Sequence, residues 1–297
     1  MNPQLQTFAV SPTLDLSHAA NLQHQRTNTF GVALDSYTKD WREFDPTAYL
    51  NEYYGDLGEE NLAILRFYVD VFHGMDQKST MLDFGSGPTI YSLIAAVTKV
   101  REIQIVEYLE ANRLELRKWL TRDNTAFNWL PFIKKTIELE QKGWCSAFDL
   151  ARREALIRNH VTSIGRCDVR QTPPFVGGRQ TYDVVASNFC AESITDSQRE
   201  WKFFLNNIAS LVKVGGTLIM TTLKRATNYS VGSRRFPAVS IDEADLACTL
   251  SEAGFSPASI EIRSVPADRP SRYYKGLMLA TAVKHNPEPT RASHSYA

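Results

Sequence analysis

The sequence predicts an α/β fold: a Rossmann-like, doubly wound, mostly parallel sheet with helices on both faces and one antiparallel strand near the C-terminus. Three observations predict it. Short apolar runs alternate with longer stretches of helical period through the middle of the chain. An early apolar run ends in "DFGSGPTI", a glycine turn feeding a second apolar segment. The last two strand-like runs, "ASIEIRSV" and "GLMLATAV", follow one another with no helix between them, which turns one against the rest.

The elements follow in order. In "EENLAILRFYVDVF", Leu62, Leu65, Val69 and Phe72 fall on one helical face, and Asp56 and Glu59 stand ahead of it with capping-box spacing. "TMLDF" reads as a strand, and "PTIYSLIAAVT" as a helix with Pro88 in its first turn. "EIQIVEY" is strand-like and "EANRLELRKWL" helical. Residues 127–160 add helical material, read as an insertion within the domain; its last helix, "DLARREALIRNH", leads to a weak strand near Ile164. "YDVVASNF" is a strand. The helix after it carries one stripe of Trp201, Phe204, Leu205, Ile208, Leu211 and Val212, stopped by Gly215 and Gly216. "TLIMTTL" is a strand, and "DEADLACTLSEAG" a helix ended by Gly254. Residues 1–40 are polar and aperiodic and read as a flexible arm, as does the tail 285–297; residues 41–284 form one domain.

Composition removes several classes. Lys plus Arg equals Asp plus Glu at 33 each, so the chain lacks the basic footprint of a nucleic-acid binder or of a protein held on anionic lipid. No run of about 18 apolar residues is present, and "MNPQLQTFAV" has no secretory pattern. Cys145, Cys167, Cys190 and Cys248 form no C-x-x-C pair and have no histidine at ligand spacing, so free thiols and no metal are expected. The expectation is a cytoplasmic monomer acting on a small molecule, with neither nucleic acid nor membrane as partner.

The glycine turn carries the chemistry. In an open parallel sheet, ligands sit beyond the carboxyl ends of the strands, and Gly85 and Gly87 let the backbone approach one. Glu107 ends the next strand, 24 residues after Asp83, where a carboxylate commonly holds ribose hydroxyls. An adenosine cofactor follows. A dinucleotide would want G-x-G-x-x-G, but the sixth position is Ile90. S-adenosylmethionine has no phosphate to cradle, and Asp83, Gly85, Gly87 and Glu107 meet its needs. Spacing favours methyl transfer; an NAD(P)-dependent oxidoreductase and a glycine pair that merely bends the chain stay open.

"DFGSGPTIY", "FDPTAYLNEYYGD", "EYLEANRLELRKWL", "AFNWLPF", "RCDVRQTPP", "VGGTLIMTTLK" and "YSVGSRRF" together resemble the small-molecule methyltransferases that include nicotinamide, phenylethanolamine and indolethylamine N-methyltransferases and thioether S-methyltransferase. The resemblance spans about residues 44–284. It implies that Gly85, Ser86 and Tyr91 contact the methionine part of S-adenosylmethionine. Glu107, where the family usually has Asp, would hold the ribose with Asn112 in support. Asp168 and Val169 would hold the adenine, and Asn188 would line the cofactor opposite the reacting methyl. Tyr49 and Tyr54 would belong to a lid, about residues 44–57, with Tyr49 positioning the reactants.

The acceptor end departs from the family. Several members carry a carboxylate after the fifth strand, at a position matching Thr221, and Thr221 cannot neutralise a cation. Arg225, Arg234 and Arg235 stand nearby in what reads as a loop. Thr221, Arg225 and Tyr229 are the candidate acceptor contacts, and the expected acceptor is neutral or anionic and contains a ring, most simply methylated on nitrogen. A hydroxyl or carbon acceptor would need a base, for which Tyr229 or Asp196 is available. A cofactor-binding regulator without turnover is the non-enzymatic alternative.

Overall fold

In the computed structural model, the described residues are 37–177, 179–268 and 273–285. The expected arm and tail therefore lie, for residues 1–36 and 286–297, outside the described residues.

The chain opens with helix α1 (Pro46–Tyr54), which Asp45 caps by accepting from the Thr47 and Ala48 N–H groups. Helix α2 (Glu59–His73) follows. Its N-cap is Gly58 with no side-chain cap, so the expected capping box of Asp56 and Glu59 does not form. Its buried face also differs from the expected stripe: Ile64, Leu65, Phe67, Tyr68 and Phe72 turn inward, while Leu62 and Val69 are half-buried.

Strand β1 (Lys78–Phe84) leads through the glycine turn to the short helix α3 (Tyr91–Ala96). That helix starts three residues beyond Pro88, so Pro88 belongs to the turn and not to the first helical turn. Strand β2 (Val100–Val106) and helix α4 (Glu110–Leu120) complete the next unit. Helices α5 (Leu130–Gln141) and α6 (Ala147–His160) fill the expected insertion, and β3 (Val161–Gly165) is the weak strand at Ile164.

Strand β4 (Tyr182–Asn188) precedes helix α7 (Gln198–Ala209), which buries Trp201, Phe204, Leu205 and Ile208. Leu211 and Val212 lie beyond its end, and Val212 already begins β5 (Val212–Lys224). Gly215 and Gly216 are thus no helix stop. They sit within β5, where the register against β4 shifts and Gly215 adopts φ +74°. A hairpin of β6 (Asn228–Val231) and β7 (Arg234–Pro237) replaces the expected loop. Helix α8 (Glu243–Glu252) and strands β8 (Glu261–Pro266) and β9 (Gly276–Val283) close the fold.

Among the described residues the main sheet has seven strands in the order β3-β2-β1-β4-β5-β9-β8. β9 pairs antiparallel with both β5 and β8, so it is the one reversed strand. Strand order reverses between β1 and β4, and a site is expected beyond their carboxyl ends. One apolar core lies against α2, α3, α5 and α6, and a second against α7 and α8, on either side of the sheet. No helix among the described residues is long and apolar enough to cross a membrane.

Candidate cofactor and acceptor site

A partly open cavity lies at that switch point. The β1–α3 turn, the ends of β2 and β4, and helix α1 wall one half; the hairpin, α2 and β9 wall the other.

Glu107 organises the first half. It is buried, and both its oxygens are engaged: Gly87 N donates to Oε2 at 3.0 Å, while Leu109 N and Asn112 Nδ2 donate to Oε1 at 2.8 and 3.1 Å. Burial raises its pKa, and these donors act in the other direction. Asn112 spends its amide N–H on Glu107, which leaves its buried Oδ1 without a partner among the described residues. Both residues line the cavity, and together they bring acceptor oxygens of the kind ribose hydroxyls require.

The glycine turn needs its glycines. Gly85 has φ +66°, and a Cβ there would meet Cys190 Sγ at 2.3 Å. Gly87 has φ +60°. Asp83 lies behind the turn, fully buried and outside the lining; Ser92 Oγ donates to its Oδ2 at 2.7 Å, and burial lifts its pKa to about 7. Ser86 and Tyr91 line the cavity beside Gly85 and Gly87.

At the far side of this half, Asp168 and Val169 line the wall next to Tyr108. Arg170 donates from Nε and Nη2 to the two Asp168 oxygens at 2.8 Å each, which holds Asp168 below the usual carboxylate range. The Arg170 guanidinium also lies 4.9 Å from the Tyr108 ring centroid. Neither partner was legible as a site residue in the sequence. Asn188 lines the cavity from the end of β4.

Tyr49 and Tyr54 stand on α1 over the cavity, with ring centroids 5.7 Å apart, and Tyr54 stacks on Tyr91 at 5.5 Å. Desolvation raises the pKa of all three phenols well above the usual value. Tyr53 ties α1 to the hairpin by donating to Ser230 O at 2.8 Å.

The second half is mostly aromatic, walled by Trp41, Phe44, Tyr53 and Tyr229. Of the expected acceptor contacts only Tyr229 lines it. Thr221 is fully buried on β5 outside the lining. Arg225 is exposed and paired with Asp242 at 3.2 Å. Arg234 pairs with Glu43, and Arg235 donates to Tyr273 Oη at 2.6 Å. None of the three arginines lines the cavity. Asp196 pairs with Lys39 at 3.5 Å, also away from it. Sequence reasoning missed Glu60, a buried lining carboxylate that accepts from Tyr274 Oη at 2.8 Å and Asp268 N at 3.2 Å. Its signal was weak, since an acidic residue in a helix's first turn is ordinary.

This geometry suits S-adenosylmethionine better than a dinucleotide. A pyrophosphate would need the turn's N–H groups and a helix start. Here a carboxylate takes Gly87 N–H, and α3 begins only at Tyr91. No cluster of metal-ligating side chains occurs among the described residues.

A sequence profile of the NNMT/PNMT/TEMT family matches residues 32–285. Indolethylamine N-methyltransferase of Mus musculus is 31% identical over 72% of this chain and 82% of the mouse protein. Phenylethanolamine N-methyltransferase of Homo sapiens is 29% identical over 82% of this chain and 90% of its own. Nicotinamide N-methyltransferase of Sus scrofa is 28% identical over 82% and 94% respectively.

Proposed function

Because this chain belongs to the NNMT/PNMT/TEMT family and is an S-adenosylmethionine-dependent methyltransferase, we propose that it methylates a nitrogen of a small, neutral, ring-containing acceptor. The single observation that carries this reading is the cavity itself: a Glu107–Gly87 cradle suited to a phosphate-free adenosine at one end, continuous with an aromatic chamber at the other.

Glu107 and Asn112 would hold the ribose, Asp168 and Val169 the adenine, and Gly85, Ser86 and Tyr91 the methionine part. When bound, the cofactor supplies a sulfonium-activated methyl group. The chain's own residues align the two reactants and keep water out. Tyr49 and Tyr54 close the junction of the two halves with rings that tolerate a cation at their faces. Holding two reactants in line removes roughly 7–11 kcal/mol of barrier. A nitrogen acceptor brings its own lone pair, so no base is needed to create the nucleophile.

The neutral character of the acceptor rests on the lining. Its one described basic residue, Arg170, is engaged with Asp168, so the described lining offers no free cation to hold an anion. The anionic half of the sequence expectation thus loses its support, since the three arginines behind it point elsewhere. The three relatives methylate, by their names, an indolethylamine, a phenylethanolamine and a nicotinamide, all ring-containing nitrogen compounds. A monomer acting in the cytoplasm belongs to the same proposal.

The test has two stages. Titration calorimetry with S-adenosylmethionine and with NAD should show heat for the first alone. Transfer of labelled methyl to a panel of neutral ring amines, ring amides and N-heterocycles should then yield a product labelled on nitrogen. Cofactor binding without transfer to any of them would overturn the neutral nitrogen acceptor.

A further inference from the structure

We propose that Tyr68 is a positioning residue: its hydroxyl fixes the Asn188 amide that the end of β4 presents to the cavity.

Tyr68 lies in the middle of α2, fully buried and outside the cavity lining. Its ring is held by Phe67, Phe72 and Tyr91, with centroids 5.9, 6.2 and 6.2 Å away. A buried phenol needs a hydrogen-bond partner. Its partner is the side chain of Asn188, 120 residues away in sequence. The hydroxyl donates to Oδ1 at 3.0 Å and lies 2.8 Å from Nδ2, which can donate to it. Facing both ends of the amide, it fixes the amide plane and leaves one N–H and one lone-pair direction for other partners.

The place of Asn188 gives that restraint a consequence. It is the last residue of β4, across the switch point from β1, and it lines the cavity at 9% exposure. The chain then turns sharply, with Phe189 at φ +48°, to put Cys190 over Gly85. An asparagine here without a buried anchor could rotate about χ2 and carry its amide plane out of line with the cavity. The nearby Asp83 carboxyl, after burial, is the largest influence keeping the proton on the Tyr68 phenol, so the anchor persists as pH rises.

This inference rests on the cofactor reading above, and the experiment separates the two. Full-length wild type, Tyr68→Phe, Asn188→Ala and the double variant are titrated with S-adenosylmethionine by calorimetry. Tyr68→Phe should weaken binding about tenfold, equivalent to about 1.4 kcal/mol. Asn188→Ala should weaken it at least as much. The double variant should bind no worse than Asn188→Ala alone, because Tyr68 acts through Asn188. Unchanged affinity in Tyr68→Phe, or losses that multiply in the double variant, would overturn the proposal. Failure of the wild type to bind would defeat the cofactor reading instead. The restraint is then decided without cofactor, from the Asn188 side-chain amide protons by NMR. Two signals shifted and protected from solvent exchange in wild type should lose that protection in Tyr68→Phe; identical shifts and exchange rates in both proteins would overturn it.

Discussion

Replacing Glu107 by Gln separates ligand binding from folding. The carboxylate accepts three N–H groups, two at Oε1 and one at Oε2. A glutamine has one oxygen. If that oxygen keeps Leu109 and Asn112, its NH₂ faces the Gly87 N–H, donor against donor. Leaving such a buried donor unpaired costs about 1–3 kcal/mol. Against this, the variant no longer carries a charge that burial opposes, the same burial that raises the Glu107 pKa. The two effects offset, so stability should fall by about 1 kcal/mol, a Tm change of about 2–4 °C for a domain of this size. Cofactor affinity has no such offset. Bonds from ribose hydroxyls to a charged acceptor are worth about 1.5–3 kcal/mol, so Kd should rise roughly 10- to 150-fold. Glu107→Asp keeps the charge but is one methylene too short to reach Gly87 and Leu109 together, and should lose tenfold or less. Calorimetry with S-adenosylmethionine, beside a thermal melt without it, reads both quantities. A Glu107→Gln protein that binds within threefold of wild type would refute the assignment of the ribose to this carboxylate.

Tyr49→Ala opens the junction of the cavity, where Tyr49 packs on Phe44, Tyr53 and Tyr54 at 5.1–5.7 Å; methyl transfer should fall at least tenfold while the melt stays cooperative, and unchanged turnover would remove α1 from the lid. Asp83 holds a proton in the fold up to about pH 7 that the unfolded chain releases near its ordinary value of 3.8. Its contribution is therefore complete below the lower value and is lost as pH rises through the upper. Asp83→Asn should then be more stable than wild type at pH 8, by up to about 4 kcal/mol, with the gain vanishing toward pH 4; urea midpoints that differ equally at both pH values would contradict this. Gly85→Ala drives a Cβ to 2.3 Å from Cys190 Sγ at a φ of +66°, so it should lower both Tm and cofactor affinity, and adding Cys190→Ala should restore part of the first.

Much of the sheet was legible because its central strands are compact apolar runs bounded by polar residues. The boundaries set by long-range pairing were not. Leu211 and Val212 continue the helical period of α7, yet β4 takes Val212 as a strand partner, and the ladder outweighs the local period. The hairpin shows the same cause more sharply. β6 and β7 are four residues each, with exposed Gly232 and Ser233 between them, and by themselves they are too short to be stable. What holds them comes from far upstream: Trp41 stacks on Phe236 at 5.0 Å, Phe44 meets the same ring at 5.7 Å, and Tyr53 bonds Ser230 O.

The site divides along the same line. Gly85, Ser86, Gly87, Tyr91, Glu107 and Asn112 come from two adjacent strand ends and the turns and helix starts that follow them, so two short stretches of sequence supply them all. Acceptor chemistry depends instead on which charges the fold leaves facing the cavity, and counting residues cannot give that. Three arginines within eleven residues suggested an anion; each has its own partner elsewhere, in Asp242, Glu43 and Tyr273. Thr221 was a candidate acceptor contact, but Leu223, on the same face of β5 and one repeat nearer the carboxyl end, is the β5 residue that reaches the lining. Glu60 drew no notice in the sequence and enters the wall because β9 brings Tyr274 against α2. A charge bears on specificity only where burial and pairing hold it at the cavity surface, and none of the three arginines meets that condition.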